Sequence, residues 1–190
     1  LLMISVYVGD DENKKSLTED YFARKSSPED VVNDFYTSGH YKAIKIRDLL
    51  RNDYRNPIWF EEAVECTPND TVSRRKIWED NPQIVLEGNI INPEIDTNRT
   101  ITTKQDRNPN SGNLYFDSGI EGKGKFRYLT PRECMLFMGF KDMDYWKLKN
   151  NNVAFHKGDQ LFSRDKIIRM AGNSIPVKLL EGVFWQILQI

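Results

Sequence analysis

The sequence predicts an α/β protein whose bulk is irregular, rich in β structure and loops. Three observations point there. The opening run LLMISVYVG is apolar and far shorter than the ~20 residues that span a bilayer, so residues 2–8 read as a buried strand. Thr100-Ile101-Thr102-Thr103 is β-branched throughout, and Asn113-Leu114-Tyr115-Phe116 reads as its partner across the polar loop KQDRNPNSG. Two helices, opening near residues 131 and 177, carry apolar stripes at helical spacing.

The other elements follow in order. Residues 9–27 are polar and acidic, a loop or linker. Ser27-Pro28-Glu29-Asp30 places proline at the first helical position and acids in the first turn, and predicts a helix over about 28–37 that displays Val31, Val32 and Phe35. Ala43–Ile46 with Leu49 and Leu50 fits a strand or a helix. Residues 57–80 are mixed. IVLEGNII, just before Pro93, is an apolar strand. Residues 117–125, with three glycines and two lysines, read as a flexible approach to the next helix, and residues 141–164 as irregular. Gly172-Asn173-Ser174 reads as a tight polar turn. Ser174 can cap the helix that follows, where Val177, Leu180, Phe184, Ile187 and Leu188 form one stripe and Gly182 permits a close neighbour.

The sharpest local signal is RYLTPRECMLFMGF, residues 127–140. Thr130 is a good N-cap, Pro131 suits the first helical position, and Glu133 stands three residues beyond the cap: a capping box. Cys134, Phe137 and Met138 make the apolar stripe, and Gly139 can end the helix. Arg127 and Arg132 flank the cap. A well-capped surface helix accounts for all of this, because capping boxes are common; a functional helix start is the alternative.

Hydrophobic residues make up 39% of the chain and charged residues 29%, which suits a soluble globular protein and argues against disorder. Two cysteines, Cys66 and Cys134, and two histidines, His40 and His156, show no metal-ligand spacing, so a reduced, cytoplasmic protein without a metal or membrane segment is expected. A net charge of −1 excludes a globally basic nucleic-acid binder. The charge is uneven, however. Residues 41–56 carry five basic and two acidic side chains, Arg74-Arg75-Lys76 forms a cluster, and residues 99–107 carry three basic and one acidic. A fold that gathers these charges would present a positive face suited to phosphates; scattered, they are solvated surface charge.

Two stretches together resemble signatures of the C5-cytosine DNA methyltransferases. Arg127, Leu129, Thr130, Pro131, Arg132, Glu133, Gly139 and Phe140 resemble that family's ninth motif, Arg-x-Leu-Thr-x-x-Glu before an apolar helix. Gly172, Asn173, Ser174, Ile175, Pro176 and Val177 resemble its tenth, Gly-Asn-Ser followed by a long helix. Order and spacing agree. Arg99–Thr103 resembles the Thr-Leu element of the family's target recognition region, and LLMISVYVG the strand after its eighth motif. The family's Phe-x-Gly-x-Gly turn, its Pro-Cys nucleophile, its Glu-Asn-Val motif and the arginine pair of its eighth motif have no counterpart here.

The resemblance implies the C-terminal part of such an enzyme: residues 1–26 ending a Rossmann-like large domain, 27–164 a target recognition domain that includes 127–140, and 165–190 returning to the large domain. It implies double-stranded DNA and a catalytic N-terminal part or subunit as partners, S-adenosylmethionine as cofactor with Asn173 and Ser174 against it, and no catalytic residue in this segment. Methyl transfer to cytosine C5, in restriction-modification of bacterial or phage origin, would be the activity of the whole. Arg127, Thr130, Pro131, Glu133 and Gly172 would be structural. Met170 stands where the family often has glutamine and takes no role. For base reading the loop offers Lys104 and Arg107, suited to guanine, and Gln105 and Asn108, suited to adenine; Thr102 and Thr103 can contact phosphate or a thymine methyl. A DNA-binding or interaction protein that kept the fold without catalysis is the alternative.

Overall fold

The computed structural model describes residues 44–80, 91, 113–155 and 158–188. Ile44–Pro176 forms one compact unit, and Val177–Ile190 groups with Leu1–Ala43 in another. The predicted strands at 2–8 and 100–103, the predicted helix at 28–37 and most of IVLEGNII lie outside the described residues.

Within the compact unit, α1 is a single turn, Ile46–Leu49, so the stretch that fitted strand or helix holds a short helix at those four residues. The mixed 57–80 stretch holds two helices. In α2, Pro57–Glu65, the Asn56 side chain accepts from the N–H groups of Ile58 and Trp59, with proline at the first position. In α3, Val72–Asp80, the Thr71 hydroxyl accepts from Arg74 N–H at 3.4 Å.

Strand β1 (Asn113–Tyr115) pairs antiparallel with β2 (Phe126–Tyr128). Among the described residues the partner of Asn113–Tyr115 is thus the segment that directly follows the 117–125 stretch expected to be a flexible approach. Ten intervening residues close the hairpin, turning at Gly119 (φ 68°) and Gly122 (φ 79°). Leu114 faces Arg127 in this register, and both are buried. On the opposite face Tyr115 meets Phe126 edge-on, ring centroids 5.7 Å apart. The other side of β1 receives Ile91, whose N–H donates to Asn113 O at 2.8 Å.

Helix α4, Pro131–Phe137, is the hub. Its start is the predicted capping box: Glu133 N–H donates to Thr130 Oγ1 (3.2 Å), and Thr130 N–H donates to the Glu133 carboxylate (2.8 Å). Its end is a Schellman motif. Phe140 N–H reaches back to Met135 O and Gly139 N–H to Leu136 O, with Gly139 at φ 87°, where a side chain would be strained. Seven residues make a marginal helix on their own, so caps and packing hold it. It is no surface helix: residues 131–136 are all buried. Leu129, Cys134 and Met135 meet Ile46 and Leu50 of the α1 region, Leu114 of β1, Tyr145 of α5 (Asp142–Asn150), and Ile167 and Ala171 of α6 (Arg164–Asn173).

Helices α5 and α6 occupy sequence expected to be irregular or a turn. Gly172 and Asn173 close α6 rather than forming a turn. The Ser174 hydroxyl donates to Ala171 O at 2.7 Å, so Ser174 serves the end of α6, not the start of the next helix. Between α5 and α6 lies a two-residue hairpin, β3 (Ala154–Phe155) with β4 (Asp159–Gln160). In the other unit, α7 spans Val177–Ile187 as predicted. Of its predicted stripe, Val177, Leu180 and Ile187 are half-buried, while Phe184 and Leu188 are exposed.

Candidate functional site

Two buried ion pairs radiate from the start of α4. Arg127 and Glu133 are both fully buried and meet as a fork on a carboxylate, Nη1 to Oε2 at 2.8 Å and Nη2 to Oε1 at 2.9 Å. Each carboxylate oxygen also takes a backbone N–H: Oε1 from Arg51 and Oε2 from Thr130, both at 2.8 Å. Arg127 spends further donors on Tyr54 Oη (3.0 Å) and Tyr128 O (2.8 Å). Dehydrating two ions costs several kcal/mol each, and such saturation is what offsets that cost. Burial pushes the Glu133 carboxyl up, but the Arg127 charge and these hydrogen bonds outweigh it and hold it below the usual carboxylate range. Burial favours loss of the Arg127 proton; Glu133 and Tyr54 overcome that and raise its pKa.

The second pair lies one position along the helix. Arg132 forks onto Glu62 of α2 (2.9 and 2.8 Å), and its remaining nitrogen reaches both oxygens of Asp142 at the start of α5 (2.9 Å each). Its guanidinium lies 4.5 Å from the Tyr145 ring and 4.6 Å from the Trp146 ring. Arg51 completes the set, with Nη2 3.9 Å from Asp142 and its guanidinium over Trp59. One carboxylate thus ties α4 to β2 and to the chain after α1, and one guanidinium ties α4 to α2 and α5. Arg127 and Arg132, flanking the cap as if for an anionic ligand, are consumed by structure.

The cysteines are built unlike nucleophiles. Burial pushes the Cys66 thiol up to about 12, and burial first, then the nearby Glu133, pushes Cys134 up as well. An activated thiolate needs the opposite environment. Among the described residues no group of His, Cys, Asp and Glu could hold a metal ion, and no helix is long and apolar enough to cross a membrane.

The candidate base-reading residues Thr102, Thr103, Lys104, Gln105, Arg107 and Asn108 lie outside the described residues. The first described residue after them is Asn113, which is 1% exposed and starts β1. Asn173 is exposed and Ser174 half-buried at the end of α6. Gly172 has open space where a side chain would stand. Of the basic stretch at 41–56, Lys45 and Arg47 are exposed, Arg51 belongs to the buried network, and Arg55 pairs with Asp53 at 2.7 Å.

Sequence reasoning missed Tyr54, Glu62 and Asp142, which no local pattern marks. It noted Arg74-Arg75-Lys76 by charge alone. The fold brings Arg74 and Arg75 to a cleft of about 280 Å³ shared with Lys123 and Lys125 of the β1–β2 loop.

The model of the family described as C-5 cytosine-specific DNA methylase matches residues 8–189 of this chain. Neither the curated proteins nor the solved structures gave a match.

Proposed function

Because this chain belongs to the C-5 cytosine-specific DNA methylase family, whose members methylate cytosine in DNA with S-adenosylmethionine as donor, we propose that it is the C-terminal specificity part of such an enzyme. In this reading residues 27–164 recognise the duplex, 1–26 and 165–190 belong with the catalytic domain, and Asn173 and Ser174 complete the methyl-donor site. The whole enzyme would serve restriction-modification. The cysteine nucleophile that attacks the extruded base lies in a catalytic part outside this segment. The two raised, buried thiols agree with that assignment.

The observation that carries the reading is the buried, doubly paired start of β1, into which the sequence of residues 104–112 leads. Asn113 is paired on both sides, by β2 and by Ile91. The strand opposite ends in the saturated Arg127–Glu133 hub. Binding loops characteristically stand on scaffolds of this kind, since a reading side chain must be placed to within a fraction of an ångström. Lys104, Gln105, Arg107 and Asn108 then read base edges, while Thr102 and Thr103 contact the backbone or a thymine methyl.

The test puts duplex binding and methyl transfer side by side on one preparation of the chain, with its mass checked under denaturing conditions. Binding to duplex DNA without transfer of labelled methyl is expected. Transfer by the 22.3 kDa chain alone would overturn the assignment of covalent chemistry elsewhere. No duplex binding at low salt would remove the recognition role. Replacing Lys104 and Arg107 by alanine should relax discrimination between sequences by about 1–3 kcal/mol for each bidentate hydrogen-bonded pair to a base that disappears.

A further inference from the structure

The cleft between α3 and the β1–β2 loop is the feature that the recognition role leaves unused. Its lining carries four cations, Arg74, Arg75, Lys123 and Lys125, against two carboxylates, Asp70 and Glu79. The cations come from segments some fifty positions apart, so their convergence is a product of the fold and not of a basic run.

The floor is built from backbone. Gly124 N–H donates to Pro68 O (2.9 Å), and Asp70 N–H to Gly122 O (2.8 Å). A Cβ on Gly124 would stand 3.4 Å from Pro68 O, in van der Waals contact with the join. Two of the cations brace this floor: Arg74 Nη1 holds Asn69 O and Lys123 Nζ holds Thr67 O, both at 3.0 Å.

The other two are differently placed. Arg75 and Lys125 have side chains 58% and 67% exposed, held by Asp70 at 3.2 Å and Asp117 at 3.3 Å, partners that are themselves solvent-exposed. Exposed pairs of this kind add little to stability and rearrange at little cost when a stronger anion arrives. A guanidinium fork beside ammonium groups suits the oxygens of a phosphate, and a concave wall focuses their field.

We propose that this cleft is a phosphate site that grips the DNA backbone, with Arg75 and Lys125 as the contacting arms and Arg74 and Lys123 as the frame that positions them. The proposal rests on the DNA-recognition reading for its ligand, but not for its geometry. The contact is sequence-blind: it holds register on the duplex while the loop at 104–108 reads bases.

The test uses the whole chain. Duplex binding is measured against salt concentration for the parent and for R75A/K125A, with thermal melting to confirm that this exposed pair leaves the fold intact. In parallel, backbone amide NMR shifts of residues 69–70 and 122–125 are followed on adding duplex or inorganic pyrophosphate. The variant should bind every duplex several-fold more weakly, with the log–log salt slope smaller by about 1–2, and the amides should move with both ligands. A parent that binds duplex while the variant keeps its affinity and slope overturns the cleft as a DNA contact. A parent that binds no duplex, yet whose cleft amides move with pyrophosphate in a way R75A/K125A abolishes, overturns the recognition reading and leaves a site for a free phosphate ligand. Amides unmoved by either ligand overturn the site itself.

Discussion

Arg127 and Arg75 make ion pairs of similar length, 2.8 and 3.2 Å, and do opposite work. Arg127 sits in the hub beneath α4 at zero exposure, with every oxygen of its partner doubly engaged. Arg75 stands at the rim of the cleft with more than half its side chain in water. In the hub, charge has been converted into architecture. On the rim it is held in reserve, because water weakens the resident pair and leaves the cation available to a better anion. Burial, more than pair geometry, decides which arginines of a basic-looking chain can meet a ligand.

The comparison breaks most violently if the hub loses one partner. Glu133→Ala leaves a guanidinium buried without its counter-charge and should destabilise the chain by about 3–5 kcal/mol, read as a drop in the urea midpoint. A change comparable to that of a surface substitution would mean that water reaches Arg127. Arg132→Met removes the cation of the second pair and leaves Glu62 buried; about 3 kcal/mol is expected, less than for Glu133 because Asp142 can turn to solvent.

Acid sharpens the same contrast. The Glu133 pKa is lowered in the fold, so its contribution is present above the unfolded value of about 4.3 and is lost as pH falls through the folded value. Stability of the parent should therefore fall steeply below about pH 4, and Glu133→Gln should flatten that fall. A parent and variant with equal acid slopes would take the pair out of the explanation. Thr130→Ala removes one half of the capping box and should cost about 1 kcal/mol. At the bottom of the scale, Arg75→Ala with Lys125→Ala should change stability by less than about 0.5 kcal/mol, in keeping with exposed pairs.

Much of α4 was legible in the sequence, because caps are local. Thr130, Pro131, Glu133 and Gly139 lie within ten residues and each has one conformational preference to express. α7 was legible for a related reason: its apolar spacing is dense. What could not be read was burial. Nothing local tells that Arg127 and Arg132 face inward, since Arg51 lies 82 residues from Glu133 and Glu62 lies 70 from Arg132. α5 was missed because DMDYWKLKN buries only Tyr145 and so shows no apolar stripe. The end of α6 was missed because Gly172-Asn173-Ser174 has turn chemistry, which a packed helix face overrode. The pairing of Asn113–Tyr115 with Phe126–Tyr128 could not be read because β-propensity marks strands but not their neighbours, and the expected partner, Thr100–Thr103, lies outside the described residues. As for the site, charge counting found Arg74 and Arg75, and only the fold supplied Lys123 and Lys125.

The hub has a kinetic corollary. Glu133 cannot shed its hydration until Arg127, Thr130 and the amide of Arg51 stand in place, and the last of these must travel across 82 residues of chain to arrive. Loop closure over such a span precedes any reward from the contact. The four-way carboxylate cage therefore locks on the native side of the folding barrier. It acts as a latch on unfolding: weakening it should leave the refolding rate nearly unchanged and shorten the lifetime of the folded chain.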